Sequence, residues 1–300
     1  MLEHESSNKS NDKKRLSIIT DILILIPFIV ATLILLHSFD ISKYFENEEE
    51  DLLLLQKSSL TVEDENTVYI NRIRKEYGIT VMYGKQAEPF ATRLEAVSQY
   101  DENILNNNLK IIYDALKKYP MDVFNMSISK ENPTYIMIVD HFNNNNLALA
   151  SRNNLDEYRL YISNTENLER AFHHEMYHVL EYYMAKNNTN LFSSWKVLNP
   201  KDFSYNSDTS KLNSDYVYKK EEVGQEKISV TNNNYYFVTK YSKSAEREDR
   251  AEIFAELMML DYVPSYLGKG QNIRNKVDYI FKTINENITK NEFYCNQYIK

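Results

Sequence analysis

Residues 165–186 read TENLERAFHHEMYHVLEYYMAK, and this stretch predicts one long helix with a metal-binding face. His174 and His178 are four residues apart, so both imidazoles leave the same side of the helix and can share one divalent ion. Glu175 is rotated by about 100 degrees from His174, which places its carboxylate beside the ion and not among its ligands. A carboxylate in that position is a candidate general base.

A catalytic zinc ion takes three protein ligands, so the sequence must supply a third. Glu181 shares the face of His174 but lies roughly 10 Å along the helix axis, too far to close onto the same ion. A second predicted helix carries Glu248, Glu252 and Glu256 at intervals of four residues. A column of like charges is unfavourable if it is only solvated. We therefore expect its central carboxylate to bind the cation and a neighbour to accept an imidazole N–H.

The composition limits the classes of function. A chain of 300 residues with 43% hydrophobic content can bury a sizeable core. Its net charge of -8 argues against nucleic acid as a partner, because no basic field is available to neutralise phosphates. Cys295 is the single cysteine, which excludes an intramolecular disulfide and a cysteine-ligated zinc site. Any metal must therefore be held by His, Asp and Glu.

The order of predicted elements indicates an α+β fold. Short runs rich in β-branched and aromatic residues predict strands that precede the metal-binding helix. Periodic apolar positions predict helices on both sides of that strand region. The predicted strands are Thr80–Met82, Thr134–Val139, Leu147–Ala150 and Tyr158–Ser163, and the predicted helices are Asn103–Lys118, Thr165–Lys186 and Ala245–Leu260. Strands followed by helices are typical of α+β domains and not of alternating parallel folds.

The first forty residues predict a membrane anchor. Lys13, Lys14 and Arg15 precede an apolar run close to the roughly 20 residues that a bilayer requires. The positive-inside rule then leaves the N-terminus in the cytoplasm and the rest of the chain outside. A cleaved signal peptide is the main alternative, but no A-x-A-like site follows Leu36. The expected organisation is a cytoplasmic tail (1–15), a transmembrane anchor (16–38), an acidic stalk (39–66) and a folded domain (67–300).

The two helices resemble those of the gluzincin clan of zinc metallopeptidases. The resemblance is carried by the His174–His178 motif and by the segment Ala251–Glu256, which has the form Ala-Glu-x-Phe-Ala-Glu. The chain is similar to the catalytic domain of anthrax lethal factor and to the Pro-Pro endopeptidases. More loosely, Trp195–Pro200 and Glu248–Glu252 look typical of bacterial extracellular zinc metallopeptidases. The resemblance covers roughly residues 70–285 and implies a zincin-like domain, a small mixed sheet plus active-site helices, behind the transmembrane helix.

The resemblance also implies roles for individual residues. It makes Glu252 the third zinc ligand and Glu256 the carboxylate that orients a ligand histidine. Tyr241 is the candidate for stabilising the oxyanion of the tetrahedral intermediate, with Tyr235 and Tyr236 in reserve. In lethal factor the corresponding tyrosine lies closer in sequence to the ligand glutamate than Tyr241 lies to Glu252. Members of the clan lay an extended peptide beside a strand near the metal, which implies the strand at 157–162 here.

Together these features predict a membrane-anchored, extracellular, zinc-dependent endopeptidase. One zinc ion would be held by His174, His178 and Glu252, and peptide bonds would be hydrolysed by zinc-activated water with Glu175 as general base. The expected partners are a peptide or protein substrate and the membrane. The alternative is a non-catalytic zinc-binding surface protein on the same scaffold. A secreted, toxin-like protease is a third possibility, which the predicted anchor disfavours.

Overall fold

The computed structural model describes residues 64–299, apart from residues 100, 128–132, 145, 154–156, 187, 214, 216, 218–234, 265–266 and 269–270. Residues Asp64–Lys300 form one compact unit, which begins three residues before the boundary predicted at residue 67. The predicted tail and anchor, and the stalk up to residue 63, lie outside the described residues. Within the described ranges, no helix has both the length and the apolar character needed to cross a membrane.

The described part of the chain mixes helices with short strands. In chain order the helices and strands are α1 (Glu65–Tyr77), β1 (Thr80–Met82), α2 (Gly84–Ala91), β2 (Ala96–Ser98), α3 (Glu102–Leu116), α4 (Met121–Ser127), β3 (Thr134–Phe142), β4 (Ala148–Arg152), β5 (Tyr158–Ser163), α5 (Leu168–Lys186), α6 (Glu246–Met258), α7 (Asn272–Asn287) and α8 (Asn296–Ile299). The predicted strands and the metal-binding helix are present. The helices α1 and α7 and the strand β2 were not predicted.

The strands form one small mixed sheet, as the sequence predicted. Its strand order is β1-β3-β5-β4, and β2 pairs with the C-terminal half of β3. The pairs β1–β3 and β3–β5 are parallel, whereas β4 runs antiparallel to β5. The strand β5 therefore lies inside the sheet and β4 lies at its edge. This strand order determines which strand has an unpaired backbone edge near the metal-binding helix.

Both faces of the central strands are buried, which explains their nearly continuous apolar sequence. On β3, Ile136 and Ile138 pack into the large core that includes the apolar side chains of α5 and α6. The alternate residues Met137 and Val139 pack on the other face with the small alanines of α2. One face of the sheet thus packs, through the larger core, against α5, which is the metal-binding helix.

The helices α5 and α6 pack against each other, and buried ion pairs set their relative position. Arg250 on α6 donates to Glu181 on α5 at 2.5 Å. Asp249 precedes Arg250 on α6, and its Oδ2 accepts a hydrogen bond from Lys276 Nζ at 2.6 Å. Both side chains are fully buried. The Tyr205 hydroxyl and the Trp195 indole N–H donate to the same oxygen. These contacts tie α6 to α5, to α7 and to the connection at 195–205.

Removing the buried ammonium is expected to destabilise the fold. In Lys276→Met the Asp249 carboxylate would lose its charge partner while staying buried, and breaking such a pair costs about 3–5 kcal/mol. Chemical denaturation of the full-length chain measures the change. Lys282→Met is the matched control, because Lys282 lies on the same helix and its ion pair with Glu286 is exposed. Equal stability of the two variants would contradict a stabilising role for the buried pair.

Candidate metal centre

Three buried side chains of α5 and α6 converge on one point. His174 Nε2 lies 3.2 Å from His178 Nε2 and 3.1 Å from Glu248 Oε2. His178 Nε2 lies 3.4 Å from the same carboxylate oxygen. Among the described residues, these three form the group of His, Cys, Asp or Glu side chains whose geometry can hold a metal ion. The two histidines of the predicted motif are thus brought together with Glu248.

The distances within this group fit a zinc ion. Zinc bonds to histidine nitrogen and carboxylate oxygen are about 2.0–2.2 Å long, so three ligands of a tetrahedral ion lie about 3.3–3.5 Å apart. The observed separations of 3.1–3.4 Å are close to that spacing. Two imidazoles and one carboxylate are also a donor set that zinc accepts. The cluster is therefore compatible with one zinc ion and needs little rearrangement to bind it.

Glu252 occupies a different position from the one predicted. Its Oε1 lies 2.9 Å from His174 Nδ1, the ring nitrogen that faces away from the convergence point. A carboxylate there accepts the Nδ1–H and leaves Nε2 free for a metal. Glu256, predicted for this supporting role, lies one turn further along α6, with its carboxylate 3.8 Å from Arg170 Nε. Glu248 thus lies beside the Nε2 atoms of both histidines, whereas Glu252 lies beside Nδ1 of His174.

The two carboxylates beside His174 are held in the ionised form. Burial lowers the pKa of His174, but hydrogen bonds to Glu248 and Glu252 outweigh it and raise that pKa to about 10. Burial raises the pKa of both carboxyl groups, yet the hydrogen bonds with the histidines hold each pKa well below its ordinary value. Two ionised carboxylates therefore flank one imidazole, and Arg247 and Arg170 contact the same two carboxylates from other sides.

Glu175 lies beside the cluster without joining it. Its side chain is buried, and this burial raises the pKa of its carboxyl group. The charges of His174 and His178 and the backbone N–H of Ala150 act in the opposite direction. A buried carboxylate with a raised pKa is better matched to taking up a proton near neutral pH than an exposed one. The placement agrees with the helical geometry from which the base was predicted.

Tyr241 lies beside the cluster and is partly exposed. It belongs to a short 3-10 helix, Tyr241–Lys243, that precedes α6. Its ring centroid is 6.0 Å from that of His174, and the side chain is 45% exposed. Burial raises the pKa of the Tyr241 hydroxyl, and the charges of Glu248 and Glu175 add to this. A protonated hydroxyl therefore faces both the candidate ligand and the candidate base.

The peptide-binding strand cannot be the one that the sequence suggested. The strand β5, which covers the predicted 157–162 segment, is paired on both edges, with β3 and with β4. It has no backbone edge left to accept an added strand. The strand β4 lies at the sheet edge, packs against α5 and brings the Ala150 backbone N–H to Glu175. An extended chain beside the metal centre would therefore lie along β4.

Three polar residues of the site were not predicted. Arg170 and Thr239 contact Glu252, and Arg247 Nε donates to Glu248 Oε1 at 2.9 Å. Arg170 is four residues before His174, so helical periodicity could have placed it on the metal-binding face. Arg247 is adjacent to a ligand candidate and carries no distinct signal in the sequence. Thr239 is brought in by the turn at 239–242, which only the tertiary structure shows.

Comparison with known proteins identifies one distant structural likeness. No protein-family model matches the chain, and no curated protein matches it. A solved structure from Bacteroides caccae, described as a "putative zinc-binding metallo-peptidase", is similar over 75% of this chain and 88% of that chain, with 13% sequence identity and a TM-score of 0.44. At this distance the likeness carries no assignment, so the interpretation of the site rests on its own geometry.

Proposed function

We propose that the chain is a zinc-dependent endopeptidase. The observation that carries the proposal is the convergence of His174 Nε2, His178 Nε2 and Glu248 Oε2 within 3.1–3.4 Å, with Glu175 beside them on the same helix. In this proposal Glu248 takes the place that the sequence gave to Glu252. Three protein ligands leave the fourth position of a tetrahedral ion open, as a catalytic site requires and a structural site does not.

Within this site Glu175 acts as the general base. A zinc ion held here would lower the pKa of a bound water and polarise the scissile carbonyl. Glu175 then accepts the proton from the attacking water and delivers it to the leaving amine. Its burial excludes bulk water and keeps the proton in the site. These are the two proton transfers that peptide-bond hydrolysis needs.

Tyr241 is the residue that we assign to the oxyanion. Its hydroxyl lies near Glu248 and Glu175, and the raised pKa keeps the hydroxyl protonated at neutral pH. A positioned donor at the developing negative charge is worth several kcal/mol of transition-state stabilisation. Tyr235 and Tyr236, the reserve candidates, precede the turn that carries Thr239 and Tyr241 and remain alternatives to be tested by substitution.

We propose that the substrate is an extended peptide laid along β4. The strand ends at Arg152 and has one edge of its backbone directed away from β5. Main-chain hydrogen bonds to such an edge bind a peptide independently of its sequence, and side-chain contacts then supply selectivity. Among the described residues, no strand pairs with this outer edge of β4, which supports binding of an extended peptide there.

The cellular location is a proposal from the sequence alone. The basic residues before the apolar run at 16–38 support an anchor with the catalytic unit outside the cell. The acidic segment that follows the run supports a stalk between the membrane and the unit that begins at Asp64. In this arrangement the substrate would be an extracellular or surface-exposed protein.

Cleavage of a peptide library by the full-length chain tests the proposal. The membrane fraction and the medium of cells producing the chain are assayed separately, with zinc, with a zinc chelator, and with the metal restored. We expect cleavage in the membrane fraction that chelation abolishes and zinc restores, because the three ligands act only through the ion. Zinc binding without cleavage would favour the non-catalytic alternative. Activity confined to the medium would favour a secreted protease.

A further inference from the structure

The carboxylate of Glu252 is held by more contacts than a partner of one histidine requires. Its Oε1 accepts from His174 Nδ1 at 2.9 Å and from Arg170 Nη1 at 3.2 Å. Its Oε2 accepts from Arg170 Nη2 at 2.7 Å and from Thr239 Oγ1 at 2.6 Å. Glu252 itself is 4% exposed, so its orientation is set by these donors and not by solvent. Each carboxylate oxygen therefore has two donors in a fixed geometry.

Arg170 provides two of those four contacts. It lies on α5 four residues before His174, whereas Glu252 lies on α6 four residues after Glu248. The two parallel N–H bonds from one guanidinium fix both the position and the plane of the carboxylate. The plane matters, because only a carboxylate turned toward Nδ1 holds the His174 ring with Nε2 facing the cluster. The Arg170–Glu252 pair thus joins the two helices one turn away from the metal ligands.

We propose that Arg170 is a positioning residue for zinc binding, which acts through Glu252 to orient the His174 ring. Thr239 completes the same cradle from the turn before α6. Without the guanidinium, Glu252 is free to turn toward the two histidine Nε2 atoms or toward solvent, and the ring of His174 loses its fixed partner. The proposal rests on the proposed metal site, since it concerns the affinity of that site for zinc.

The test measures zinc affinity of the metal-loaded and metal-stripped full-length chain by competition with a chromogenic chelator. We expect Arg170→Gln to weaken zinc binding about 10–100-fold, the effect typical of residues that orient a metal ligand. Arg170→Lys keeps the charge but not the paired N–H bonds, so an intermediate loss is expected. Arg274→Gln is the matched control: it breaks an ion pair on α7 with a similarly exposed arginine, 27% against 24%.

A double-substitution cycle separates positioning from a general structural role. If Arg170 acts through Glu252, then Arg170→Gln adds little further loss of zinc affinity in a Glu252→Gln background. An equal loss in both backgrounds would overturn the proposal, as would wild-type affinity in Arg170→Gln. Thermal denaturation of the metal-free variants shows whether each is folded. If Arg170→Gln does not fold, the same comparison is made with Arg170→Lys. Failure of the wild-type chain to bind zinc would instead refute the proposed metal site.

Discussion

Glu175→Gln is expected to abolish peptide hydrolysis while zinc stays bound. The substitution preserves the size of a buried side chain but removes the group that accepts the proton. General-base catalysis contributes about 10²–10⁴-fold, so kcat should fall by at least that factor. The side chain is not among the three converging ligand atoms, and the metal content should therefore remain that of the wild type. Hydrolysis rates and bound zinc are measured on the same preparation.

An exposed glutamate just before the same helix provides the control. Glu166→Gln makes the same chemical change at the exposed N-terminal approach to α5 and should leave both hydrolysis and zinc content unchanged. Undiminished activity of Glu175→Gln would remove Glu175 from the mechanism. Loss of zinc together with activity would show that the carboxylate belongs to the metal's own ligand set, contrary to the arrangement seen here.

Glu248→Ala is expected to cause the largest loss of zinc affinity among the three glutamates of α6. Its Oε2 lies 3.1 and 3.4 Å from the two histidine Nε2 atoms, so the substitution removes one of three ligands. Glu252→Ala removes only the support of His174 Nδ1, for which about 10–100-fold is typical. Zinc affinity of the three alanine variants is compared by chelator competition. We expect Glu248→Ala to exceed the Glu252→Ala effect clearly.

Glu256→Ala serves as the internal control in this series, since the Glu256 carboxylate lies 3.8 Å from Arg170 Nε, whereas Glu248 and Glu252 lie within hydrogen-bond distance of His174. It should bind zinc more tightly than both other variants. A greater loss in Glu252→Ala than in Glu248→Ala would restore the ligand assignment made from the sequence. The three variants differ only by one helical turn each, so the order of their affinities reports which turn of α6 faces the metal.

The candidate ligand histidines and the candidate base could be predicted from the sequence because their relation is local. The spacing of His174 and His178 and the offset of Glu175 follow from the geometry of one helix. The short strands before that helix were equally visible as apolar runs between polar segments. By contrast, α1 and α7 were not predicted, although each helix buries one face and carries apolar residues at helical spacing.

The third ligand was not accessible in the same way. Glu248, Glu252 and Glu256 are equivalent by periodicity, since each shares one face of α6 with the others. Which of them lies next to the histidines depends on the axial position of α6 relative to α5. One helical turn corresponds to about 5.4 Å along that axis. That placement is set by distant contacts such as Arg250–Glu181 and Asp249–Lys276. The resemblance to gluzincins pointed to Glu252, whereas the structure brings Glu248 next to the two histidine Nε2 atoms.

The position of Tyr241 follows from the same shift. Tyr241 lies eleven residues before Glu252 but seven before Glu248. The shorter separation agrees with the position of Tyr241 beside the cluster. It also accounts for the contact of Tyr241 with the charges of Glu248. A shift of one helical turn, from Glu252 to Glu248, thus changes the candidate ligand and its distance in sequence from Tyr241.

The sequence by itself predicted the metal-binding helix, the type of ligand, the candidate base and an α+β arrangement of strands and helices. Those features depend on local periodicity and on the absence of usable cysteine ligands. Only the tertiary structure decided that Glu248 faces the histidine Nε2 atoms, that Arg170 and Thr239 hold Glu252, and that β4 is the free edge. Each of these depends on the packing of segments far apart in the chain, which local spacing does not specify.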